Sequence, residues 1–160
     1  MELKYLKKLE KNKTIGHDTI EGVSESEIVK VEQGLNIKFP LAYREFLLLA
    51  GEYSGNLQLA DGATSLAELS KESYMDFMYK QLKKYGPNIN RPFWVISEQD
   101  GFEQFYFFYL DNKVEDPEVW GVTYGLEDEN TSVIYSLNKK FSEFISTVID
   151  KSIHFAKYGY

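Results

Sequence analysis

Residues 34–57 have the sequence GLNIKFPLAYREFLLLAGEYSGNL, and this stretch decides the fold. Pro40 stands where a helix can begin, because the first helical position needs no N–H donor. In the segment 41–50 the apolar residues cover most of a helical circumference and leave Arg44 and Glu45 as the polar side. A helix that is apolar on nearly all sides is buried. We therefore expect a central core helix rather than a catalytic segment.

Further helices are predicted on both sides of this segment. Ser24 and Glu27 are three residues apart, which is the spacing of a capping box at a helix start. Leucines three residues apart predict a short amphipathic helix over residues 2–12, and residues 65–86 carry a longer apolar stripe. Asn138 is expected to cap a terminal helix with apolar residues at helical spacing. Residues 12–22 are expected to form a loop.

About five strands are predicted in the remainder of the chain. FWVIS and FEQFYFFYL flank Asp100 and Gly101, which favour the tight turn of a hairpin. Both faces of the second strand are apolar, so it is expected to be a central strand covered by helices, or one with an aromatic face left open. The other strands are NLQLA, EVWGVTY and TSVIYSL. Helices followed by strands indicate an α+β fold with a mostly antiparallel sheet flanked by helices.

Length and composition place limits on the class of protein. A chain of 160 residues with 43% hydrophobic residues can form one domain with a sizeable core. We expect a single domain over residues 1–160, with residues 1–20 as an N-terminal helix and loop. The absence of cysteine excludes a disulfide framework and a thiol nucleophile. No signal peptide or membrane span is evident in the sequence, so we expect a cytoplasmic protein.

The net charge of −7 is unevenly distributed. Residues 1–13 hold five lysines and two glutamates, a net charge of +3, whereas residues 111–130 hold one lysine and seven acids, a net charge of −6. An acidic surface repels phosphate backbones and favours basic partners. Direct binding of nucleic acid is therefore disfavoured, although a merely solvated acidic rim is an equally simple interpretation.

Motifs for catalysis are missing from the sequence. There is no Gly-x-Ser-x-Gly elbow, Walker loop or Gly-x-Gly-x-x-Gly. The acids of EDEN, residues 127–130, lack the alternating spacing and central glycine of a calcium loop. His17 and His154 are expected in surface or capping positions. We expect no enzyme activity, cofactor or metal, although an enzyme with an unrecognised site stays open as a hypothesis.

Residues 20–150 carry an ordered series of motifs. The series begins with Ser24-x-x-Glu27 and Glu32-x-x-Leu35-x-Ile37-x-Phe39-Pro40. It continues through Tyr43-Arg44-x-Phe46-Leu47, Ala50-Gly51, the aromatic strand ending in Leu110-Asp111, EDPEVW and FSEFI. In this order the motifs resemble the SUKH superfamily, which includes a yeast cell-wall assembly regulator and many bacterial immunity proteins. Family members often carry an asparagine–glycine pair where this chain has Ala50-Gly51-Glu52.

The resemblance implies a non-enzymatic immunity protein that binds and neutralises a polymorphic toxin, and such toxins are frequently nucleases. It supplies no catalytic residues, and its partner-contacting residues vary. The alternative is a regulatory or scaffold module of the same fold with an endogenous protein partner. For a basic toxin domain, the acidic stretch and the aromatic residues near it predict a partner-binding surface. Its predicted members are Asp111, Glu115, Glu118, Trp120, Tyr124, Glu127, Asp128 and Glu129.

Overall fold

The computed structural model describes residues 2–59, 62–99, 101–124 and 133–160. In these ranges the chain forms helices and two antiparallel sheets, which confirms the α+β class. The elements follow in the order α1 (Lys7–Lys11), β1 (Thr14–Ile15), β2 (Asp18–Thr19), α2 (Glu25–Leu35), α3 (Leu41–Ala50), α4 (Leu66–Leu69), α5 (Glu72–Tyr85), β3 (Phe93–Gln99), β4 (Gln104–Tyr109), β5 (Glu118–Thr123), β6 (Val133–Lys140) and α6 (Phe141–Tyr158).

The main sheet has the strand order β3-β4-β5-β6, with every neighbouring pair antiparallel. Strand β4 is therefore central, as its two apolar faces predict. The sheet has four strands rather than about five, because the described part of NLQLA forms no strand. Its backbone donors are used elsewhere: the N–H of Gln58 donates to the hydroxyl of Ser152 in α6 at 2.8 Å.

Helix α3 lies in the core, as the sequence predicts. Tyr43, Phe46 and Leu47 are fully buried. The ring of Tyr43 contacts Phe108 of β4 with 5.2 Å between centroids. On the same side of the sheet, Phe144 of α6 contacts Tyr106 at 5.3 Å. Helices α3 and α6 thus cover one face of the sheet.

Helix α5 covers part of the opposite face. Tyr79 packs edge-on against Phe93 of β3, with 6.2 Å between ring centroids, and Tyr74 packs against Phe102 at 5.0 Å. Phe102 and Gly101 both have positive φ in the connection between β3 and β4. The hairpin is confirmed, but strand pairing begins only at Gln99 and Gln104, so its connection is longer than a two-residue turn.

The prediction that Glu45 lies on an exposed polar side of α3 is wrong. Its side chain is buried, with 1% of the residue's area exposed. The N-terminal segment covers this carboxylate, and the backbone N–H groups of Lys4 and Tyr5 donate to it, the latter at 2.9 Å. A buried carboxylate needs such donors to offset the loss of water. A distant part of the chain supplies them, so the sequence of α3 alone could not indicate the burial.

Local expectations at the chain ends are met only in part. The helix predicted over residues 2–12 is limited to α1, although Leu3, Leu6 and Leu9 are all buried. The predicted loop over residues 12–22 contains the short β1–β2 pair. Asn138 does not cap α6, because it lies inside β6 with a φ of 53°. The capping box at Ser24 and Glu27 is present as expected.

Candidate partner-binding surface

Asp111 follows the end of β4 and is held by a cation that the sequence analysis missed. Arg91, just before β3, donates two hydrogen bonds to its carboxylate: Nε to Oδ2 at 3.0 Å and Nη2 to Oδ1 at 2.7 Å. These bonds stabilise the ionised carboxylate and lower the pKa of Asp111 below its usual value. Asp111 is therefore an ion-paired residue rather than a free negative charge.

The same arginine joins Asp111 to two aromatic side chains. The guanidinium of Arg91 lies over the ring of Tyr109, with its carbon 3.7 Å from the ring centroid. Tyr109 in turn packs edge-on against Trp120 of β5, with 5.7 Å between centroids. Both rings are half-buried. Asp111, Arg91, Tyr109 and Trp120 thus form one continuous row of contacts.

Glu118 and Trp120 lie on the same face of the sheet because side chains alternate along β5. Trp120 pairs with Phe107 of β4 and with Ser136 of β6. The hydroxyl of Ser136 donates to the carboxylate of Glu118. Three predicted residues, Asp111, Glu118 and Trp120, are therefore brought together at the end of the face where β4, β5 and β6 lie side by side. We call the set of Arg91, Tyr109, Asp111, Glu118, Trp120 and Ser136 the sheet-face surface.

Glu115 lies in the loop between β4 and β5 and binds the N-terminal segment. Its Oε2 accepts hydrogen bonds of 2.6 Å from Lys4 Nζ and 2.6 Å from the Tyr5 hydroxyl. The hydrogen bond from Lys4 lowers the pKa of Glu115 most, and the bond from Tyr5 lowers it further. Its backbone carbonyl also accepts from the N–H of Ala42 at 2.9 Å, at the start of α3. Glu115 therefore connects three parts of the chain.

A groove of about 830 Å³ adjoins the sheet-face surface and contains Glu115 and Glu118. It is lined by acids, lysines and neutral residues: Tyr5, Asn112, Val114, Glu115, Asp116, Glu118, Asn138, Lys139, Lys140 and Glu143. Asp116 is committed to α6, since it accepts from the backbone N–H of Ser142 at 2.9 Å and from its hydroxyl at 2.5 Å. The groove is thus of mixed charge and not a simple acidic patch.

Tyr124, also predicted at this surface, is buried with 7% of its area exposed. Its ring packs edge-on against Phe105 at 6.3 Å, and burial raises the pKa of its hydroxyl. Its side chain therefore offers little exposed area for contact with a partner. The other predicted members, Glu127, Asp128 and Glu129, lie outside the described residues.

The part of the chain that the structure describes contains no group of three or more His, Asp or Glu side chains arranged to hold a metal ion. None of the helices described there combines the length and apolarity needed to cross a bilayer. His154 contacts the rings of Tyr158 and Tyr160, with centroids at 4.7 and 5.7 Å.

Comparison with known families identifies the relatives of this chain. The model of the SMI1/KNR4 family, also called SUKH-1, matches residues 22–147. The chain belongs to this family. No curated protein matches it. The SMI1/KNR4 match confirms the SUKH resemblance and contains the whole four-stranded sheet with its sheet-face surface. Lys4 and Tyr5, which bind Glu115, lie outside the match.

Sequence reasoning missed Arg91, Tyr109 and Ser136 as members of the surface. Tyr109 belongs to the aromatic strand, for which an open aromatic face was one of two expectations, but the sequence did not indicate that Tyr109 would be the half-exposed residue. Arg91 faces Asp111 because of the register between β3 and β4. In this register Phe93 pairs with Tyr109, and continuing it two residues beyond the end of each strand brings Arg91 opposite Asp111. A correct register would have revealed this ion pair from the sequence.

Proposed function

We propose that the chain is a non-enzymatic immunity protein that binds and neutralises a polymorphic toxin through the sheet-face surface. The observation that carries this proposal is the half-buried pair Tyr109 and Trp120, which is bordered by Asp111 and Glu118. Membership of the SMI1/KNR4 family is compatible with such a role.

The aromatic pair suits an interface because its geometry is already fixed. Trp and Tyr are enriched among the residues that contribute most to protein–protein affinity. Here Arg91 stacks on Tyr109, and Tyr109 supports Trp120, so little side-chain freedom is lost when a partner covers them. Arg91 itself adds planar hydrogen-bonding capacity at the rim.

The charge around this pair favours a basic partner. Asp111 and Glu115 are already ion-paired, so in this proposal the charge that attracts the partner comes from Glu118 and from the predicted members Glu127, Asp128 and Glu129. A nuclease domain carries positive charge where it holds phosphates, and complementary charge speeds association. A toxin with nuclease activity is therefore the partner that we propose.

The first experiment is co-purification with the toxin domain encoded beside the gene of this protein. We expect a stable complex, and we expect Trp120→Ala to weaken it by about tenfold or more, as loss of an interface anchor does. Phe155→Ala is the matched control, because Phe155 is an exposed aromatic residue near the end of α6. Equal binding by both variants would show that the sheet-face surface is not the interface.

The charge hypothesis has its own kinetic test. Reversing Glu127, Asp128 and Glu129 to lysine should slow association with the toxin at low salt, and the difference should shrink as salt screens it. The control is the same reversal at Glu10, Glu72 and Asp76, three exposed acids elsewhere. An unchanged association rate at low salt would contradict the charge hypothesis. Capture of an endogenous regulatory protein in place of a toxin would favour the scaffold alternative.

A further inference from the structure

A second groove, of about 390 Å³, lies between α2 and α4. We call it the α2–α4 groove, because residues of α2, including Gly34, and residues of α4 line it, together with Val23 and Glu52. Its volume is within the roughly 300–1,000 Å³ typical of ligand pockets. It lies at the opposite end of α3 from Glu115. The N–H of Leu66 bonds to the carbonyl of Gly51 after the last turn of α3, whereas Glu115 bonds to Ala42 in its first turn.

The floor and one wall of this groove are apolar. Val23 and Leu66 belong to the core, and Val31 and Leu35 pack against it while still half-exposed. Ala67 adds a small apolar side chain from α4. The groove therefore presents a concave apolar surface that is continuous with the core.

Gly34 lies where one wall of the groove is open. It is in the last turn of α2, where its φ is not positive, and a Cβ atom added there would meet nothing within 4 Å. By contrast, a Cβ atom at Gly22 would lie 1.8 Å from the carbonyl oxygen of Leu48. Neither backbone conformation nor packing requires glycine at position 34, so alanine fits there, and a bulky side chain there would extend into the open space of the groove.

The rim of the groove is acidic. Glu27 and Glu52 line it together with Lys30, and the exposed Glu21, Glu68 and Lys71 lie near lining residues in sequence, so these six charged residues give a net charge of −2. In the part of the chain that the structure describes, no ion pair neutralises these six residues. Positive charge on an occupant is therefore favoured.

We propose that the α2–α4 groove is a second docking site, which takes a large apolar side chain of a partner segment flanked by lysine or arginine. The apolar floor accepts the side chain, and the acidic rim binds the flanking cations. This site goes beyond the proposed function: it is separate from the sheet-face surface, so either can fail in experiment without the other.

The test is a peptide titration of the full chain, monitored by two-dimensional ¹H–¹⁵N NMR. The probe is the blocked hexapeptide Lys-Lys-Leu-Phe-Lys-Lys. Its two controls replace the lysines by glutamate, or the central Leu-Phe by Gly-Ser. We expect the probe to shift the amide signals of Val31, Gly34 and Ala67, and we expect both controls to bind more weakly.

Variants of the groove make the test specific. Gly34→Phe should fill the space and weaken binding by about 10- to 100-fold, the equivalent of losing one buried apolar side chain. Gly34→Ala is the matched control and should retain binding. Glu52→Lys should weaken binding by about two- to fivefold, as expected for one exposed charge pair. Ala67→Tyr blocks the opposite wall and replaces Gly34→Phe if that variant does not fold.

Three results would overturn the proposal. One is the absence of shifts at these amides with any peptide, and another is equal binding by the lysine and glutamate peptides. The third is that the same amide signals shift when the protein concentration is raised in the absence of peptide. That result would show that the groove mediates self-association.

Discussion

The indole N–H of Trp94 donates a hydrogen bond of 2.8 Å to the hydroxyl oxygen of Tyr43, and both side chains are buried. This bond joins the central helix α3 to the edge strand β3. Burial raises the pKa of the Tyr43 hydroxyl well above its usual value, and the bond from Trp94 opposes that rise. The hydroxyl is therefore neutral at any physiological pH and serves as an acceptor for the indole.

We predict that Tyr43→Phe lowers the free energy of unfolding by about 1–3 kcal/mol, because the buried indole N–H then lacks an acceptor. Urea unfolding measures the change. Trp94→Phe in the same background separates the lost bond from lost packing: the double variant should be less destabilised than the sum of the single ones. Strict additivity would show that the bond contributes nothing.

A second prediction concerns the buried carboxylate of Glu32, which has 5% exposed and accepts hydrogen bonds from Arg44 and from the N–H of Phe39 at 2.7 Å. Arg44→Met should lower the free energy of unfolding by about 3–5 kcal/mol, because a buried charge loses its close partner. Glu25 also binds Arg44 but is mostly exposed. Glu25→Gln should therefore change stability by about 1 kcal/mol or less. Similar losses for both variants would contradict this account of Glu32.

A third prediction follows from the ties between Glu115, Lys4 and Tyr5. The pKa of Glu115 should lie below 4.5, the usual value, and carbon NMR of its carboxyl group measures it. Since the native pKa is the lower one, the pairing stabilises the fold above pH 4.5 and this contribution is lost as the pH falls through the native pKa. Lys4→Met should raise the pKa of Glu115 more than Tyr5→Phe does. A normal pKa in the unaltered protein would exclude these bonds in solution.

A fourth prediction concerns the contacts by which Arg91 holds Asp111 at the sheet-face surface. Arg91→Gln should lower the free energy of unfolding only slightly, because the arginine is exposed and its contacts are an ion pair and a cation–π contact. The pKa of Asp111 should rise toward 3.8, its usual value. Arg91→Lys keeps the positive charge but loses the pair of hydrogen bonds that the planar guanidinium makes. It should therefore restore only part of the stability and only part of the lowered pKa of Asp111. Full recovery by lysine would show that charge alone holds Asp111.

Features that depend on neighbouring residues could be predicted from the sequence. The apolar circumference of 41–50 made α3 a core helix, and Tyr43, Phe46 and Leu47 are fully buried there. Ser24 and Glu27 set the start of α2 through bonds three residues apart. The two apolar faces of the aromatic strand placed β4 in the middle of the sheet. Such features follow from local periodicity and from hydrogen bonds of short range.

Which distant residues meet depends on how the chain folds as a whole. A two-residue turn at 100–101 would place Arg91 opposite Leu110, but the longer connection and the register shift between Val95 and Ser97 bring Arg91 to Asp111. The N-terminal segment likewise buries Glu45, although the pattern of α3 placed this residue on the polar side. Side-chain periodicity records which face of an element is apolar, whereas the partner of that face depends on register and on contacts across the chain.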